Sequence, residues 1–275
     1  MTFTEFNLRE AAPWLPGTIT EPLLQCWLHA NFEKIDPERR YPAVLICPGG
    51  GYEYTSDREA EPVALRFFAE GYNVFVLRYS CAPSRYPAQL LQAAAAVDYI
   101  RREEGCLCDG RLFVCGFSAG GHLACSVSVF WDDERIQGML KGSPGNRRPD
   151  GMILCYPVIS SGEYSHAGSF ENLLGASPPQ GLFQKMSLES AVDGSTPPAF
   201  IWHTADDPVV PVQNALLLAE SLAEKNIPFA LHVFQSGCHG LSMCDMSTAC
   251  PGRPDMISPN CAQWFPLAIN WLKCL

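Results

Sequence analysis

Charged residues are few in this sequence, and it has no cluster of Lys and Arg. They make up 17% of the 275 residues, against roughly a quarter in an average domain. With 47% hydrophobic residues, this is the composition of a folded protein rather than a disordered one. The formal net charge is −10, whereas nucleic-acid binding depends on cationic side chains that release counterions. We therefore expect no nucleic-acid partner.

Long apolar runs are also missing. No stretch reaches the roughly 18 uninterrupted apolar residues that cross a bilayer. Residues 1–16 carry Glu5, Arg9 and Glu10 where a signal peptide has an apolar core. The sequence therefore predicts a protein that neither spans a membrane nor is secreted, and we expect it in the cytoplasm.

Cysteine is abundant, but the paired spacing that binds zinc is missing. There are 13 cysteines, and zinc sites need pairs of the C-x2-C type. The only close pair, Cys106 and Cys108, has one residue between its members and no matching pair elsewhere. Others, such as Cys47, Cys115 and Cys155, lie in apolar runs, where a free thiol packs as a small hydrophobic group. We expect reduced thiols and no metal site.

Apolar β-rich runs alternate with helical patterns, which indicates βαβ units, a mostly parallel sheet and helices on both of its faces. Strands are predicted at residues 23–29, 42–47, 72–79, 112–116, 151–158, 199–203 and 229–234. Helices are predicted at 87–104, 119–131, 212–225 and 261–273. A further helix is predicted to begin at a capping box, in which Ser56 and Glu59 bond each other's backbone amides, and to end near Glu70.

Residues 161–198 interrupt this alternation with a stretch rich in Ser, Gly and Pro. A connection of this length between strands is usually functional. Length alone allows one or two domains. We interpret the chain as a single domain, residues 1–275, in which residues 161–198 form a small lid over the carboxyl edge of the sheet.

The strongest chemical motif is the G-x-S-x-G sequence at residues 116–120, centred on Ser118. It directly follows a predicted buried strand and opens a predicted helix, as a nucleophile turn requires. A glycine-rich turn with an incidental serine is the alternative, and the strand and helix on either side disfavour it. We therefore predict that Ser118 is a nucleophile.

A serine nucleophile needs a base and an acid that orients the base. Asp206 and Asp207 follow the strand at 199–203, and His239 follows the strand at 229–234 between two glycines. These positions give the order Ser, acid, His and lie at strand carboxyl ends, where such sites form. We predict His239 as the base and Asp207 as the acid. Asp207 is favoured because its spacing to Val210 gives the D-x-x-V-P pattern that the acid turn has in many hydrolases of this type. The other histidines are interpreted as structural: His29, His122, His166, His203 and His232.

A glycine-rich loop, PGGGY at residues 48–52, follows the strand at 42–47. Esterases place an HGGG-type loop there, whose amides face the developing oxyanion. We predict Gly50, Gly51 and Ala119 as the amide donors of an oxyanion hole. A phosphate-binding loop is the rival interpretation, but no GK[ST] or G-x-G-x-x-G pattern accompanies the glycines.

Together these motifs resemble a family. The resemblance is to α/β-hydrolase serine esterases of the acetyl-xylan-esterase-like and hormone-sensitive-lipase-like groups. The motifs that carry it are GGGY (49–52), SDREAEP (56–62), GFSAGGH (116–122), WHTADDPVVP (202–211) and HG (239–240). The resemblance implies an α/β-hydrolase fold and the same nucleophile, acid, base and amide donors. It also implies removal of short acyl groups, often acetyl from sugars. Pro48 stands where the second group has His, and residues before the first predicted strand leave no room for that group's cap, which implies a more open site.

The expected activity is hydrolysis of short-chain, acetyl-type esters of small molecules, with O-acetylated sugars or xylo-oligosaccharides among them, and without a cofactor. One alternative is a peptidase of the prolyl-oligopeptidase type, which shares the H-x-x-x-D arrangement of His203 and Asp207. Another is a non-catalytic relative that uses the pocket as a receptor. The aromatic residues Trp264, Phe265 and Trp271 suit either the core or a homodimer contact.

Overall fold

The computed structural model describes residues 1–103, 107–134, 138, 147–179 and 181–275. Its framework is an eight-stranded sheet in the order β1-β2-β4-β3-β5-β6-β7-β8. The β1–β2 and β2–β4 pairs are antiparallel, and the other neighbours are parallel. The strands are β1 (Thr2–Asn7), β2 (Leu23–Leu28), β3 (Tyr41–Cys47), β4 (Asn73–Arg78), β5 (Cys108–Phe117), β6 (Gly151–Cys155), β7 (Ala199–Thr204) and β8 (Phe229–Phe234).

All seven predicted strands are present, and the mostly parallel sheet is confirmed. The prediction missed β1, which occupies residues that were expected to precede the first strand. Its first four residues are exposed, and it forms the sheet edge by pairing with β2 alone. A short, largely polar edge strand has little apolar pattern in its own sequence. What defines it is its pairing with β2, for example the hydrogen bond from Gln25 to Glu5, 20 residues earlier in the chain.

The helices are α1 (Leu8–Ala11), α2 (Glu61–Ala69), α3 (Ala88–Arg102), α4 (Ala119–Val129), α5 (Ala167–Leu174), α6 (Leu182–Lys185), α7 (Gln213–Glu224) and α8 (Trp264–Leu272). Short 3-10 turns lie at Asp57–Glu59, Leu188–Ala191, Pro254–Met256 and Cys261–Gln263. Cys106, one of the pair considered for zinc, lies outside the described residues.

The predicted capping box is wrong. Ser56 makes no side-chain cap, residues Asp57–Glu59 form a 3-10 turn, and α2 begins only at Glu61. The reason is that the Glu59 side chain turns inward and bonds the amide of Gly49 instead.

Strand side chains alternate between two cores, one on each face of the sheet. Leu45 lies in one core with side chains of α1, α3, α4 and α7, whereas Val44 and Ile46 lie in the other core with side chains of α2 and α8. Both faces are covered, which explains the continuous apolar strands and the low charge fraction. Trp264 and Phe265 are buried in this second core.

The described cysteines are free thiols, and eight of them are buried. In the described ranges no helix has both the length and the hydropathy needed to cross a bilayer.

Strands β3, β5, β7 and β8 run parallel, so the loops that follow them meet at one edge of the sheet. The predicted site residues come from those loops.

Candidate active site

Ser118 lies in the sharp turn between β5 and α4. Its φ is 53° and its ψ is −120°, a strained conformation that non-glycine residues adopt mainly at functional sites. The turn packs directly on the end of β3, because a Cβ on Gly120 would lie only 2.1 Å from the carbonyl oxygen of Cys47. Only glycine allows this approach, which explains the glycine in the motif.

The structure brings Ser118, His239 and Asp207 together in one hydrogen-bonded chain. Nε2 of His239 lies 2.8 Å from Oγ of Ser118, and Nδ1 lies 2.7 Å from Oδ2 of Asp207. A carboxylate only accepts, so Nδ1–H donates to Asp207 and Nε2 is free to accept the serine proton. The imidazole is therefore held in the tautomer that a general base requires.

Of the two neighbouring carboxylates, it is Asp207 that meets the imidazole. Its side chain is fully buried and also accepts the amides of Val209 at 2.8 Å and Val210 at 3.0 Å. Burial raises the pKa of Asp207, but the hydrogen bond from His239 and the two amides outweigh it, and the net pKa is lowered. Asp206 is exposed and instead accepts from Oγ of Ser236 and the amide of Gly237.

The glycine loop lies beside the serine. Gly50 and Gly51 line a cavity of about 330 Å³ together with Ser118 and His239. No described residue accepts a hydrogen bond from the amides of Gly50, Gly51 or Ala119. Gly50 has a φ of +120°, and a Cβ there would lie 2.3 Å from the carbonyl oxygen of Tyr54. The loop conformation thus requires glycine and leaves these amides available to an anion.

Two buried residues, Glu59 and Tyr156, connect the glycine loop to the loop of His239, and the sequence analysis did not predict this role for either. Glu59 is 3% exposed, and its Oε2 accepts the amide of Gly49 at 2.8 Å. Its Oε1 lies 2.6 Å from the hydroxyl of Tyr156, which accepts the amide of Ser242 at 3.0 Å. The Tyr156 ring also meets the His239 ring edge-on, with centroids 5.0 Å apart. One buried acid therefore links the glycine loop to the histidine loop.

A second buried contact fixes the far end of the glycine loop. The hydroxyl of Tyr52 lies 2.9 Å from Nδ1 of His122, and Nε2 of His122 lies 3.0 Å from the carbonyl oxygen of Met186. A carbonyl only accepts, so Nε2–H donates and Nδ1 accepts the tyrosine proton. Burial lowers the pKa of His122 to about 4, which keeps the ring neutral.

The remaining histidines occupy different places. His203 is buried, with its Nδ1 bonded to the neighbouring Thr204, and burial lowers its pKa to about 4. His29 is stacked between Tyr41 and Phe68. His166 differs from both, because it lines the cavity above Ser118. Across the described ranges no group of three His, Cys, Asp or Glu side chains is placed to hold a metal ion.

Comparison with known proteins places this chain in a family. A model of the family BD-FAE matches residues 32–222. The chain belongs to the BD-FAE family. This is a family of α/β-hydrolase esterases, so the predicted fold class and the resemblance to esterases are confirmed.

Individual proteins that are similar to this chain carry more specific names. The chain is 40% identical over 245 residues to endo-1,4-beta-xylanase B of Butyrivibrio fibrisolvens, covering 87% of the chain and 36% of that protein. It is 30% identical over 207 residues to an acetylxylan esterase of Xylanibacter ruminicola, covering 72% of the chain and 40% of that protein. The chain thus spans well under half the length of these two relatives.

Solved structures match the fold over its whole length. An acetyl ester-xyloside bifunctional hydrolase from Caldicellulosiruptor lactoaceticus is similar with a TM-score of 0.84 and 33% identity, covering 98% of this chain and 96% of that one. A carboxylesterase from Lactobacillus plantarum WCFS1 is similar with a TM-score of 0.85 and 27% identity, covering 99% and 97%.

Proposed function

We propose that the chain is a serine carboxylesterase that removes short acyl groups, above all acetyl, from hydroxyl-rich alcohols such as xylo-oligosaccharides. The observation that carries the proposal is the hydrogen-bonded chain from Ser118 through His239 to Asp207. Nucleophile, base and orienting acid are each within hydrogen-bonding distance of the next, which is the arrangement that activates a serine hydroxyl.

The reaction proceeds in two halves. Nε2 of His239 takes the proton of Ser118 as Oγ bonds to the ester carbonyl carbon. The bond from that carbon to the alkoxy oxygen then breaks, and His239 gives its proton to the leaving alcohol. In the second half, His239 takes a proton from water as the water oxygen attacks the acyl carbon of the acyl-enzyme. The bond from the acyl carbon to Oγ of Ser118 then breaks, His239 returns the proton to Oγ, and the carboxylic acid leaves.

The glycine loop stabilises the charge that forms in each half. The amides of Gly50, Gly51 and Ala119 have no acceptor among the described residues, so they are free to donate to the oxyanion. Fixed amides cost no reorganisation when the charge develops, and a single donor of this kind is worth about 100- to 1000-fold in kcat.

The substrate class rests on the relatives and on the cavity. An acetylxylan esterase and an acetyl ester-xyloside hydrolase are among the proteins similar to this chain. The cavity is lined by polar side chains such as Glu53, Ser56, Arg58 and His166, and Val209 is the only aliphatic side chain among its described lining residues. A small acyl group and a hydroxyl-rich alcohol suit this lining better than a long lipid.

Replacement of Ser118 by Ala tests the mechanism. We expect the variant to lose hydrolysis of p-nitrophenyl acetate and labelling by a fluorophosphonate, while its thermal unfolding changes little. Retention of more than a few per cent of the activity would rule out Ser118 as the nucleophile. His239→Gln is the parallel test of the base.

Acyl and alcohol preference need a separate measurement. The expected result is that kcat/KM falls from acetyl to octanoyl p-nitrophenyl esters and that acetylated xylo-oligosaccharides release acetate. A rise towards octanoyl would contradict the proposed acyl preference without affecting the serine mechanism. A peptide amide assayed beside the esters separates esterase from peptidase.

A further inference from the structure

The cavity above Ser118 has a second wall that the proposed reaction steps do not use. His166 forms part of it, at the start of α5, and reaches the site from the 161–198 segment. Glu53 and Tyr54, in the segment that follows the glycine loop, line the same cavity. These three side chains are not members of the hydrogen-bonded chain, so the role of this wall is a separate question.

The proton on His166 can be assigned from its neighbours. Nδ1 is the N-cap acceptor of α5, taking the backbone amide of Ser169 at 3.3 Å, and the hydroxyl of Ser169 lies 2.8 Å from the same nitrogen. A neutral imidazole that accepts at Nδ1 carries its proton on Nε2. Burial, and secondarily the nearby His239, lower the pKa of His166, so the ring stays neutral at pH 7.

The donor that results is available to a ligand. No described residue is a hydrogen-bond partner of Nε2, and the half-buried ring lines the cavity. Because Nδ1 is fixed by the helix cap, the ring is oriented before any ligand arrives. A preoriented neutral donor recognises an oxygen acceptor without adding charge.

Tyr54 supplies a different kind of surface to the same cavity. It is 60% exposed, although its backbone is fixed by a hydrogen bond from its amide to the carbonyl oxygen of Gly50. An exposed aromatic ring on a fixed backbone offers a flat apolar face with a polar edge. The carboxylate of the exposed Glu53 beside it is an acceptor for hydroxyl groups.

We propose that His166 and Tyr54 form the alcohol-side subsite of this cavity, in which Nε2–H of His166 donates to a hydroxyl or ring oxygen of a sugar that packs against the Tyr54 ring. A donor, an acceptor and an aromatic face around one space match a pyranose, which presents oxygens at its rim and C–H groups on its faces. This inference rests on the proposed esterase function and names its specificity-determining residues.

Two substitutions at His166 separate the donor from the helix cap. Asn keeps a cap acceptor at the Nδ1 position, since Asn is among the best N-cap residues, but it lacks the Nε2 donor. Gln places an amide N–H near the Nε2 position and weakens the cap. Glu171→Gln, an exposed change on the same helix, is the matched control.

The kinetic test compares acetylated xylobiose with p-nitrophenyl acetate, which has no sugar. For His166→Asn we expect kcat/KM to fall about tenfold on the sugar ester, mainly through KM, as the loss of one neutral hydrogen bond predicts. The loss on p-nitrophenyl acetate is expected to be about twofold. His166→Gln is expected to keep more of the sugar-ester activity than His166→Asn. Tyr54→Ala is expected to lose kcat/KM selectively on the sugar ester, whereas Tyr54→Phe is not.

Binding of unacetylated xylobiose, followed by saturation-transfer NMR, tests the subsite without turnover. Wild type is expected to bind it, and His166→Asn to bind it several-fold more weakly. Equal losses on both esters, or xylobiose binding that is absent or unchanged in the variant, would overturn the subsite. If wild type hydrolyses neither ester but still binds xylobiose through His166, the esterase proposal fails and the subsite stands.

Discussion

Two loops meet at Ser118, and they are held in different ways. The glycine loop, residues 48–52, is held from inside: Tyr79 donates to the carbonyl oxygen of Pro48 at 2.7 Å, Glu59 takes the amide of Gly49, and Tyr52 bonds His122. All three of these side-chain partners are buried.

The histidine loop, residues 236–242, has both exposed and buried anchors. Its first residues are bonded by the exposed Asp206, and Arg58 donates to the carbonyl oxygen of Gly240. Buried side chains hold it as well: Oγ1 of Thr204 donates to the carbonyl oxygen of Gly237 and Nε1 of Trp264 donates to that of Ser242, both at 2.9 Å. The amides that face a developing charge are thus fixed by buried side chains, whereas the base lies on a loop that also has an exposed anchor, Asp206. Preorganised amides suit the electrostatic stabilisation, and the histidine held between Ser118 and Asp207 suits the proton transfer.

The largest effect is expected where the histidine loop meets its buried acid. Asp207→Asn keeps the size of the side chain but offers an amide where Nδ1–H now donates, which favours the wrong tautomer of His239. We expect kcat for p-nitrophenyl acetate to fall by about 1000- to 10,000-fold, as loss of the orienting acid does in serine hydrolases. The far-UV circular dichroism spectrum serves as the control for folding. A loss below about tenfold would mean that Asp207 does not orient the base.

The next largest effect is expected at the link between the two loops. Glu59→Gln replaces one of two acceptor oxygens by a donor, so either the amide of Gly49 or the hydroxyl of Tyr156 loses its acceptor. We expect kcat to fall about 10- to 100-fold, less than or close to the loss of a whole oxyanion donor, with KM changed little.

A purely structural role for Glu59 predicts a different outcome. The unfolding temperature would fall, and kcat measured well below it would remain close to that of wild type. Tyr156→Phe is the matched variant, because it removes the bond to Glu59 and keeps the ring that packs on His239. If the two residues act as one link, the double variant loses no more than the larger single loss.

The sequence predicts the residues of the hydrogen-bonded chain because each follows a strand that has its own apolar pattern. Parallel strands bring their carboxyl ends to one edge, so Ser118, Asp207 and His239 converge once the strands are known. The choice of Asp207 over Asp206 came from spacing to Val210, whose amide Asp207 accepts in the structure. Local spacing was informative because the contact itself is local.

Glu59 shows where this reasoning stops. Its position three residues after Ser56 fits a capping box, and the sequence alone contains nothing that opposes that interpretation. Its actual partners are Gly49, ten residues before it, and Tyr156, 97 residues after it. The buried position of Glu59 depends on how β3 and β6 lie in the sheet, which no local pattern encodes. The same holds for His166, whose place on the cavity wall depends on the path of the 161–198 segment.

A smaller effect is expected at the outer anchor of the histidine loop. Asp206→Asn keeps an acceptor oxygen for the amide of Gly237 or for Oγ of Ser236 but loses the charge. Because Asp206 is exposed, we expect kcat to fall only about two- to threefold, in keeping with the small value of exposed charged contacts. Paired with Asp207→Asn, this variant measures how differently two adjacent carboxylates serve one loop. A loss as large as that of Asp207→Asn would show that the outer anchors matter as much as the buried acid.

The last expected effect concerns acid stability rather than turnover, and it separates the two loops by pH. His122 holds the glycine loop as a neutral ring, and burial lowers its pKa from 6.5 to about 4. The unfolded chain takes up this proton near pH 6.5 and the folded chain only near pH 4. The contribution of His122 is therefore complete above pH 6.5 and is lost as the pH falls towards 4, by about 1.4 kcal/mol per pH unit at most.

The carboxylates that anchor the histidine loop become protonated at lower pH than His122. The pKa values of Asp206 and Asp207 are both lowered below 3.8, so these carboxylates stay ionised at pH 4. His122→Gln keeps a donor and an acceptor but does not titrate, and its unfolding free energy is expected to fall less steeply than that of wild type between pH 6.5 and 4. Denaturant titrations at several pH values measure both slopes. Because His203 also has a pKa lowered to about 4, the variant retains part of the dependence, and equal slopes for the two proteins would show that protonation of His122 does not limit the stability of the glycine loop in acid.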